Sequence, residues 1–533
     1  MPATDVHEVI AGLKSAQQRP LDMLTKSTFT ESMSQTSGLT FYDLELGAKF
    51  VYPVLTPLRN VIPRVSGKEG LAANWRSITA INTQNLRFGV SAANRGGVLA
   101  VATQDYSAAY KGIGVETSVD FEAQYAGQGF DDVRAVAAKT GLESLMLGEE
   151  AMILGGCSSM PLGTTPTPTV SDVGTGGSLA ANLALSVICV ALTLDGMMNA
   201  TLAGGIQGLI TRSNADGTTD TFGGGAAARS ANATITTAND GNATHLVRAS
   251  VAPVAGALGY AWFWGAAGAE ILGAISSIAS TTIATTATGA QTAASLGTAD
   301  NSVNALAFDG LITQALKPSS GATVIVQPQG LAGQGTPLTS DNAGGIVEID
   351  AVLKTMWDRY RLSPDTIWVS SQEALNISRK IITGAAASAQ RFVFDVTDEL
   401  VGGGIMVRTY LNRFSMQGGS VLDIKVHPNM PAGSMLMTTA VLPYPLAGVG
   451  NLMQIRTRQD YYQIEWPLRT RRYEYGIYAD EVLQHYFPPA MALSGCRETG
   501  RRGSRRSAAA GRPARCRRHS PRSRSCRPSG TAG

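Results

Sequence analysis

Cysteine, histidine and charge are all scarce in this chain of 533 residues. The five cysteines are Cys157, Cys189, Cys496, Cys516 and Cys526, and no two stand in a CxxC spacing. That argues against a disulfide framework and against a zinc ribbon. The histidines His7, His245, His427, His485 and His519 are scattered without a metal-binding spacing, so each reads as structural or surface. There is no P-loop and no nucleophile elbow. Gly112-Ile113-Gly114 lacks the third glycine of a dinucleotide fingerprint and reads as a hinge. The chain is therefore expected to be neither an enzyme nor a cofactor carrier. The N-terminal stretch has no apolar core ahead of a cleavage site, so no signal peptide is expected.

Charged residues make up 16% of the sequence, and the net charge of +3 hides an asymmetry. From Ser494 onward there are 12 Arg and one acid, Glu498. The tail carries about +11 and the body about −8, which does not suggest nucleic-acid binding over the whole surface. Two uncharged runs, Val173–Leu194 and Ala249–Ala269, are long enough to cross a bilayer. Both are rich in small residues and neither has a flanking basic cluster. The second holds Pro253 and an alternating Tyr260, Trp262 and Trp264. Buried strands explain them better than membrane spans.

What the sequence does contain is a contrast between neighbouring segments. Met1 to about Gly38 reads as a polar arm. Phe41–Val65 is interrupted by Pro53, Pro57 and Pro63, which favours extended chain. Ser66–Gly114 is polar and Gly-punctuated, with Trp75, Phe88, Tyr106 and Tyr110 spaced along it. A loop of that length is reasonable if it is a two-stranded arm that packs on a neighbouring subunit. Phe130–Leu154 then predicts one long helix, with Asp131 and Asp132 in its first turn, where the helix dipole favours anions. Gly141 and Gly148 lie on nearly the same face, and close packing is expected at both.

From about Pro161 to Lys317 the composition changes, and no Lys occurs between Lys139 and Lys317. Turn signals at Asn214–Gly217, Gly223–Gly225 and Asn239–Gly241 separate short apolar runs: Ala184–Leu194, Ile206–Ile210, Val251–Val254, Tyr260–Trp264 and Ile271–Ile278. This pattern predicts an inserted β-sandwich. Tyr260, Trp262, Phe263 and Trp264 read as its core; a carbohydrate or partner surface is the other reading. Beyond it, Thr323–Gln327, Thr366–Ser370 and Val421–His427 read as strands. Gly345–Arg361 and Ser371–Ile382 read as helices, the first with Ile346, Ile349, Leu353, Met356 and Tyr360 on one stripe. Tyr462, Ile464, Trp466 and Leu468 alternate with polar residues in a predicted strand, and Pro467 within it argues for a sheet edge. The fold class is thus α+β interrupted by an all-β insert.

Arg469, Arg471 and Arg472 cluster beside Tyr473 and Tyr475. A solvated strand end or inter-subunit ion pairs would explain them, as would a phosphate contact. The Arg-rich tail could attract nucleic acid. It also holds no Val, Ile, Leu, Met, Phe, Tyr or Trp, as GC-rich DNA read out of frame would give. Either way it is expected to be disordered.

The order of arm (Met1–Val65), loop (Ser66–Gly114) and spine helix (Phe130–Leu154) resembles the major capsid proteins of tailed phages, with the HK97-type fold. So do TIWVSSQEAL (Thr366–Leu375), HPNMPAGSMLMT (His427–Thr438) and the closing RTRRYEYGIYADEVLQHYFPPAMAL (Arg469–Leu493). The insert, through Leu185–Gly196 and Val251–Gly265, resembles the Ig-like or fibronectin-III-like domains that some capsid proteins carry. The resemblance implies an arm over 1–65, an extended loop over 66–114, and spine helix with peripheral domain over 115–164. It further implies an Ig-like sandwich over 165–317, peripheral strands with an axial domain over 318–493, and a tail over 494–533. It implies a virion shell of hexamers and pentamers of the chain itself, made in the host bacterial cytoplasm, around double-stranded DNA in loose contact. Scaffolding, portal and decoration proteins are possible partners, and no membrane is involved. No large scaffolding segment is expected ahead of the arm, so the resemblance implies that scaffolding is a separate protein or unneeded. Candidate inter-subunit contacts are Lys68, Arg76, Arg87, Arg95, Lys111, Arg469, Arg471 and Arg472. Some family members cross-link a loop lysine to an asparagine, but no motif here carries that chemistry over. An encapsulin-like nanocompartment, which shares the fold, and a secreted β-rich adhesin are the alternatives.

Overall fold

A computed structural model describes residues 52–495, apart from 68–69, 82–96, 128–131, 215, 328–329, 331–332, 334, 384–406, 417 and 445–447. Early in it stand α1 (Pro57–Val61), β1 (Arg64–Ser66), β2 (Ala72–Ile81), β3 (Val101–Ala109) and β4 (Lys111–Asp120). Then come α2 (Phe121–Ala126) and the long helix α3 (Val133–Gly155). The region read as extended holds a helix after all: Pro57 sits in its first turn, where a missing N–H costs nothing. Gly112–Gly114 is not a hinge but lies inside β4.

The chain divides into two compact units. One comprises 114–145 and 463–477, together with residues up to 54; the other comprises 55–113, 146–462 and residues from 478 on. In the first, the N-terminal half of α3 is capped by Asp132, whose carboxylate accepts from the backbone N–H of Arg134 (3.1 Å) and Ala135 (3.2 Å). Asp131 lies outside the described residues. Gly141 packs closely, as expected: a Cβ there would stand 2.9 Å from Ile477 Cδ1 and 3.1 Å from Thr117 Cγ2. At Gly148, in the second unit, nothing lies within 4 Å, so the expectation of close packing there is corrected.

The second unit contains the region read from the sequence as an insert, β5 (Thr169–Val173) to β13 (Ser280–Ile283). Between these lie β6 (Ala184–Leu192), the short α4 (Leu194–Met198), and the hairpin β7 (Leu209–Ser213) with β8 (Thr219–Gly223). β9 (Ala233–Thr236), β10 (Leu246–Ser250), β11 (Gly259–Gly265) and β12 (Ile271–Ser276) follow. A three-stranded sheet in the order β13-β10-β5 and a four-stranded sheet in the order β12-β11-β6-β9 share one core. That core takes Val187, Cys189 and Ala191 from β6 with Tyr260, Trp262 and Trp264 from β11. The opposite faces of the same two strands, Ile188, Val190, Leu192, Ala261 and Phe263, pack into a second core with Ile206, Leu272 and Leu296. A sheet covered on both faces needs unbroken apolar strands, which is why neither run alternates. Two strands differ from expectation: the one near Ile206–Ile210 starts at Leu209, and Val251–Val254 follows β10 rather than forming a strand.

Next come α5 (Leu311–Leu316), β14 (Thr323–Val326), α6 (Val347–Tyr360), β15 (Thr366–Val369) and α7 (Ser371–Thr383). β16 (Thr409–Asn412), β17 (Ser420–Val426), β18 (Met435–Thr438), β19 (Met453–Glu465), β20 (Arg472–His485) and β21 (Ala492–Gly495) complete the order. On α6, Ile349, Leu353 and Met356 are wholly buried, and Arg361 at φ 55° ends the helix ahead of Pro364. One sheet runs β14-β21-β18-β15-β17-β16, and another β1-β19-β20-β4. The strand predicted through Leu468 stops at Glu465. Trp466 and Leu468 lie exposed beyond it, and Pro467 follows the strand's end instead of lying within the strand. The C-terminal boundary also moves: Ser494 and Gly495 belong to β21 and pair with Ile325 and Val326. The remainder of the Arg-rich tail lies outside the described residues.

Candidate assembly interface and its anchor

β2 and β3 form an antiparallel hairpin, the two-stranded arm expected of Ser66–Gly114, with its register shifting between Ile78 and Ala80. Its root is built in. Trp75 stacks on Tyr106 (5.5 Å between centroids) and meets Tyr486 edge-on, and Ala73 is buried in the main core. Its outer part is bare: Ile78 and Ile81 are 66% and 57% exposed, and Val98 is 86% exposed. An isolated two-stranded hairpin is marginal in water, so apolar side chains placed there look for a partner surface.

The candidate contact residues are distributed as follows. Arg76 pairs with Asp105 directly across the hairpin. Lys111 Nζ donates to Ala305 O at 2.6 Å. Within the first unit, Arg472 pairs with Asp120 at 2.6 Å and Arg471 with Glu122 at 3.9 Å. Arg469 is exposed and has no ion pair among the described residues. Lys68, Arg87 and Arg95 lie outside them. Tyr473 and Tyr475 hold Arg134 by its guanidinium, and Tyr473 also meets Phe121 edge-on at 4.7 Å.

The segment leading into the hairpin is fastened by a buried polar junction that sequence reasoning missed. On α3, Gly141, Leu145, Glu149 and Ile153 recur every four residues along the buried stripe, so one acid faces inward. Glu150, beside it, is also fully buried. Its carboxylate accepts from the backbone N–H of Leu58 and Arg59, each at 2.8 Å, and from His427 Nε2 at 2.6 Å. His427 Nδ1 accepts from Asn429 N–H, so the hydrogen is on Nε2 and the ring is the neutral donor tautomer. Glu149 accepts from Arg59 Nε (3.3 Å), from Arg64 and from the Tyr461 hydroxyl. Burial first, and the hydrogen bond to Glu149 second, push the Tyr461 phenol up. A signal was present: adjacent acids near a helix C-terminus oppose the helix dipole and call for buried donors.

The scattered histidines are structural where they are described. His245 is enclosed in the insert, with Asp240 2.9 Å from Nε2 and Asp172 3.0 Å from Nδ1. The Asp240 bond raises its pKa, burial opposes this, and Asp172 adds to the rise. A groove of about 370 Å³ lies beside α3, lined by Ile113, Met152, Cys157, Asp195, Met198 and Asn304 among others. Among the described residues no cluster suits a metal ion, and no helix is long and apolar enough to cross a membrane.

No family model matches the sequence, and no curated protein matches it. Solved structures do. The capsid of an empty GTA particle aligns at 9% identity and a TM-score of 0.38, over 86% of this chain and 94% of that one. The capsid of Myoviridae phage XM1 aligns at 8% and 0.35, over 86% and 95%. An encapsulin complex from Synechococcus elongatus aligns at 8% and 0.35, over 88% and 100%. These are distant likenesses, and the functional reading rests on the chain's own geometry.

Proposed function

We propose that this chain is the major capsid protein of a tailed double-stranded DNA phage, of HK97-type fold, which self-assembles into the hexamers and pentamers of an icosahedral head. The observation that carries the reading is the β2–β3 hairpin: a ladder rooted by Trp75 and Tyr106 whose outer residues Ile78 and Ile81 are more than half exposed. A neighbouring copy supplies that core. Lys68, Arg87, Arg95 and Arg469 serve as charged contacts to neighbours, with Arg76, Lys111, Arg471 and Arg472 set in place by their partners within the chain. The insert is an Ig-like module on the outer surface. Scaffolding, portal and decoration proteins and the packaged DNA complete the set of partners in the virion.

The test is to replace residues 78–103 with a two-residue turn, leaving the Trp75–Tyr106 root intact. The variant is expected to be soluble and folded but unable to form closed shells under negative-stain microscopy. Normal particles from it would refute the role. Native particles filled with an enzyme cargo rather than double-stranded DNA would transfer the reading to an encapsulin-like shell.

A further inference from the structure

Arg64 occupies an unusual position. Its guanidinium reaches Glu149, Asp460 (2.6 Å) and Glu481 (2.8 Å) at once, and it lies 4.4 Å from the ring centre of Tyr461. Glu149 and Glu481 are almost wholly buried, whereas Asp460 is half exposed. Glu481 Oε1 has no hydrogen-bond partner among the described residues. The groups around it come from every adjoining element. Segment 55–66 contributes Arg59 and Arg64, α3 contributes Glu149 and Glu150, and β19 contributes Asp460 and Tyr461. His427 is the neutral donor to Glu150. His485, further along β20, is pushed down to about 3 by burial and adds no charge at neutral pH. Two guanidinium groups therefore face three carboxylates before Glu481 is counted. A fourth negative charge, buried and with one oxygen unbonded, would have to share the Arg64 guanidinium with Glu149 and Asp460.

We propose that the Arg64 junction is a proton-dependent latch: it is shut while Glu481 holds a proton, and it loosens segment 55–66 from α3 as the pH rises. Burial, and after it the nearby Glu149, push the Glu481 acid up to about 8 in the closed junction, against the pull of Arg64. Opening lifts Leu58, Arg59 and Arg64 away and admits water, so the carboxyl returns to the ordinary range, about 4.3. The closed form therefore holds a proton that the open form releases. Between roughly pH 4.5 and 8, each pH unit favours opening by about tenfold; above 8 both forms are ionised and the effect levels off. Segment 55–66 leads directly into β2, so the latch acts on the root of the exposed hairpin. Solution pH would thereby set how freely the arm moves.

Hydrogen exchange read by mass spectrometry on the full chain tests this from pH 5 to 9, with protection of residues 55–66 corrected for the intrinsic exchange rate. The wild type should lose protection by about tenfold per unit up to pH 8 and then stay level. Glu481→Gln should give a flat profile. Glu149→Gln removes the repelling neighbour, so its profile should level off at a lower pH. A flat wild-type profile, or a Glu481→Gln profile that still slopes, would overturn the latch. Should Glu481→Gln fail to fold, an unmoved plateau in Glu149→Gln would overturn it equally.

Discussion

In the β6–β11 pair, Val187, Cys189, Trp262 and Phe263 are wholly buried. In the β2–β3 pair, Ile78 and Ile81 keep more than half of their surface. Both are antiparallel ladders of similar length, the second with one register shift at Ile78. One is covered on both faces by its own chain, and the other is covered only at its root. Backbone pairing is thus not what separates a buried sheet from an exposed hairpin. The separation lies in whether the chain returns to cover the side chains. Chain packs on both sides of β6–β11; beyond Trp75 and Tyr106, the Tyr486 carbonyl accepts from the Ser77 hydroxyl at 3.3 Å, and Ile78 and Ile81 stay exposed.

That contrast can be broken by substitution. Trp262→Ala should cost about 4 kcal/mol, because it opens a cavity in a core with no solvent access. Ile78→Ala should stay within about 0.5 kcal/mol of wild type in the unassembled subunit, yet reduce shell yield. Denaturant titration of subunits beside particle counts reads both; a large stability loss from Ile78→Ala would erase the distinction. The junction at the hairpin's root stands between these cases. Glu150→Ala orphans three donors, two of them buried, and should cost about 3 kcal/mol, measured in the same titration. A modest effect of the opposite sign comes from the two glycines of α3. Gly148→Ala has free space and should stabilise by about 0.5–1 kcal/mol through helix propensity. Gly141→Ala should show no such gain, because Ile477 and Thr117 must give way. Thermal melts of the two variants decide it, and equal gains would show that Gly141 packs no more tightly than Gly148.

Much of the fold was legible, for local reasons. The stripe Ile349, Leu353 and Met356 announces α6, and the run from Leu185 to Leu194 announces a buried strand, because each pattern is written in neighbouring residues. The loop's length and polarity announced the hairpin, although not the register shift at Ile78. Pro467 misled: it was read as an edge marker in a continuing strand, whereas the strand ends before it. The junction could not be read at all. Arg64 and Glu481 are 417 residues apart, and their meeting depends on β1 lying parallel to β19. What could be noticed was the oddity of Glu149 and Glu150 without nearby cations on α3. Of the eight charged contacts, the sequence could nominate cations but not reveal that Arg76, Lys111, Arg471 and Arg472 find acceptors within the chain.

β21 sits between β14 and β18, well inside the six-stranded sheet, and is made of residues 492–495. During synthesis, β14 leaves the ribosome some 170 residues before its neighbour exists. At a rate of about 5–20 residues per second, that slot stays empty for roughly ten to thirty seconds. Through that interval β14 presents an unpaired edge, joined over about the last third by that of β18, the kind of surface that captures stray strands. β21 therefore acts as a timer: the six-stranded sheet cannot close until residues 492–495 have been made, and any delay there is a window for chaperone binding or mispairing.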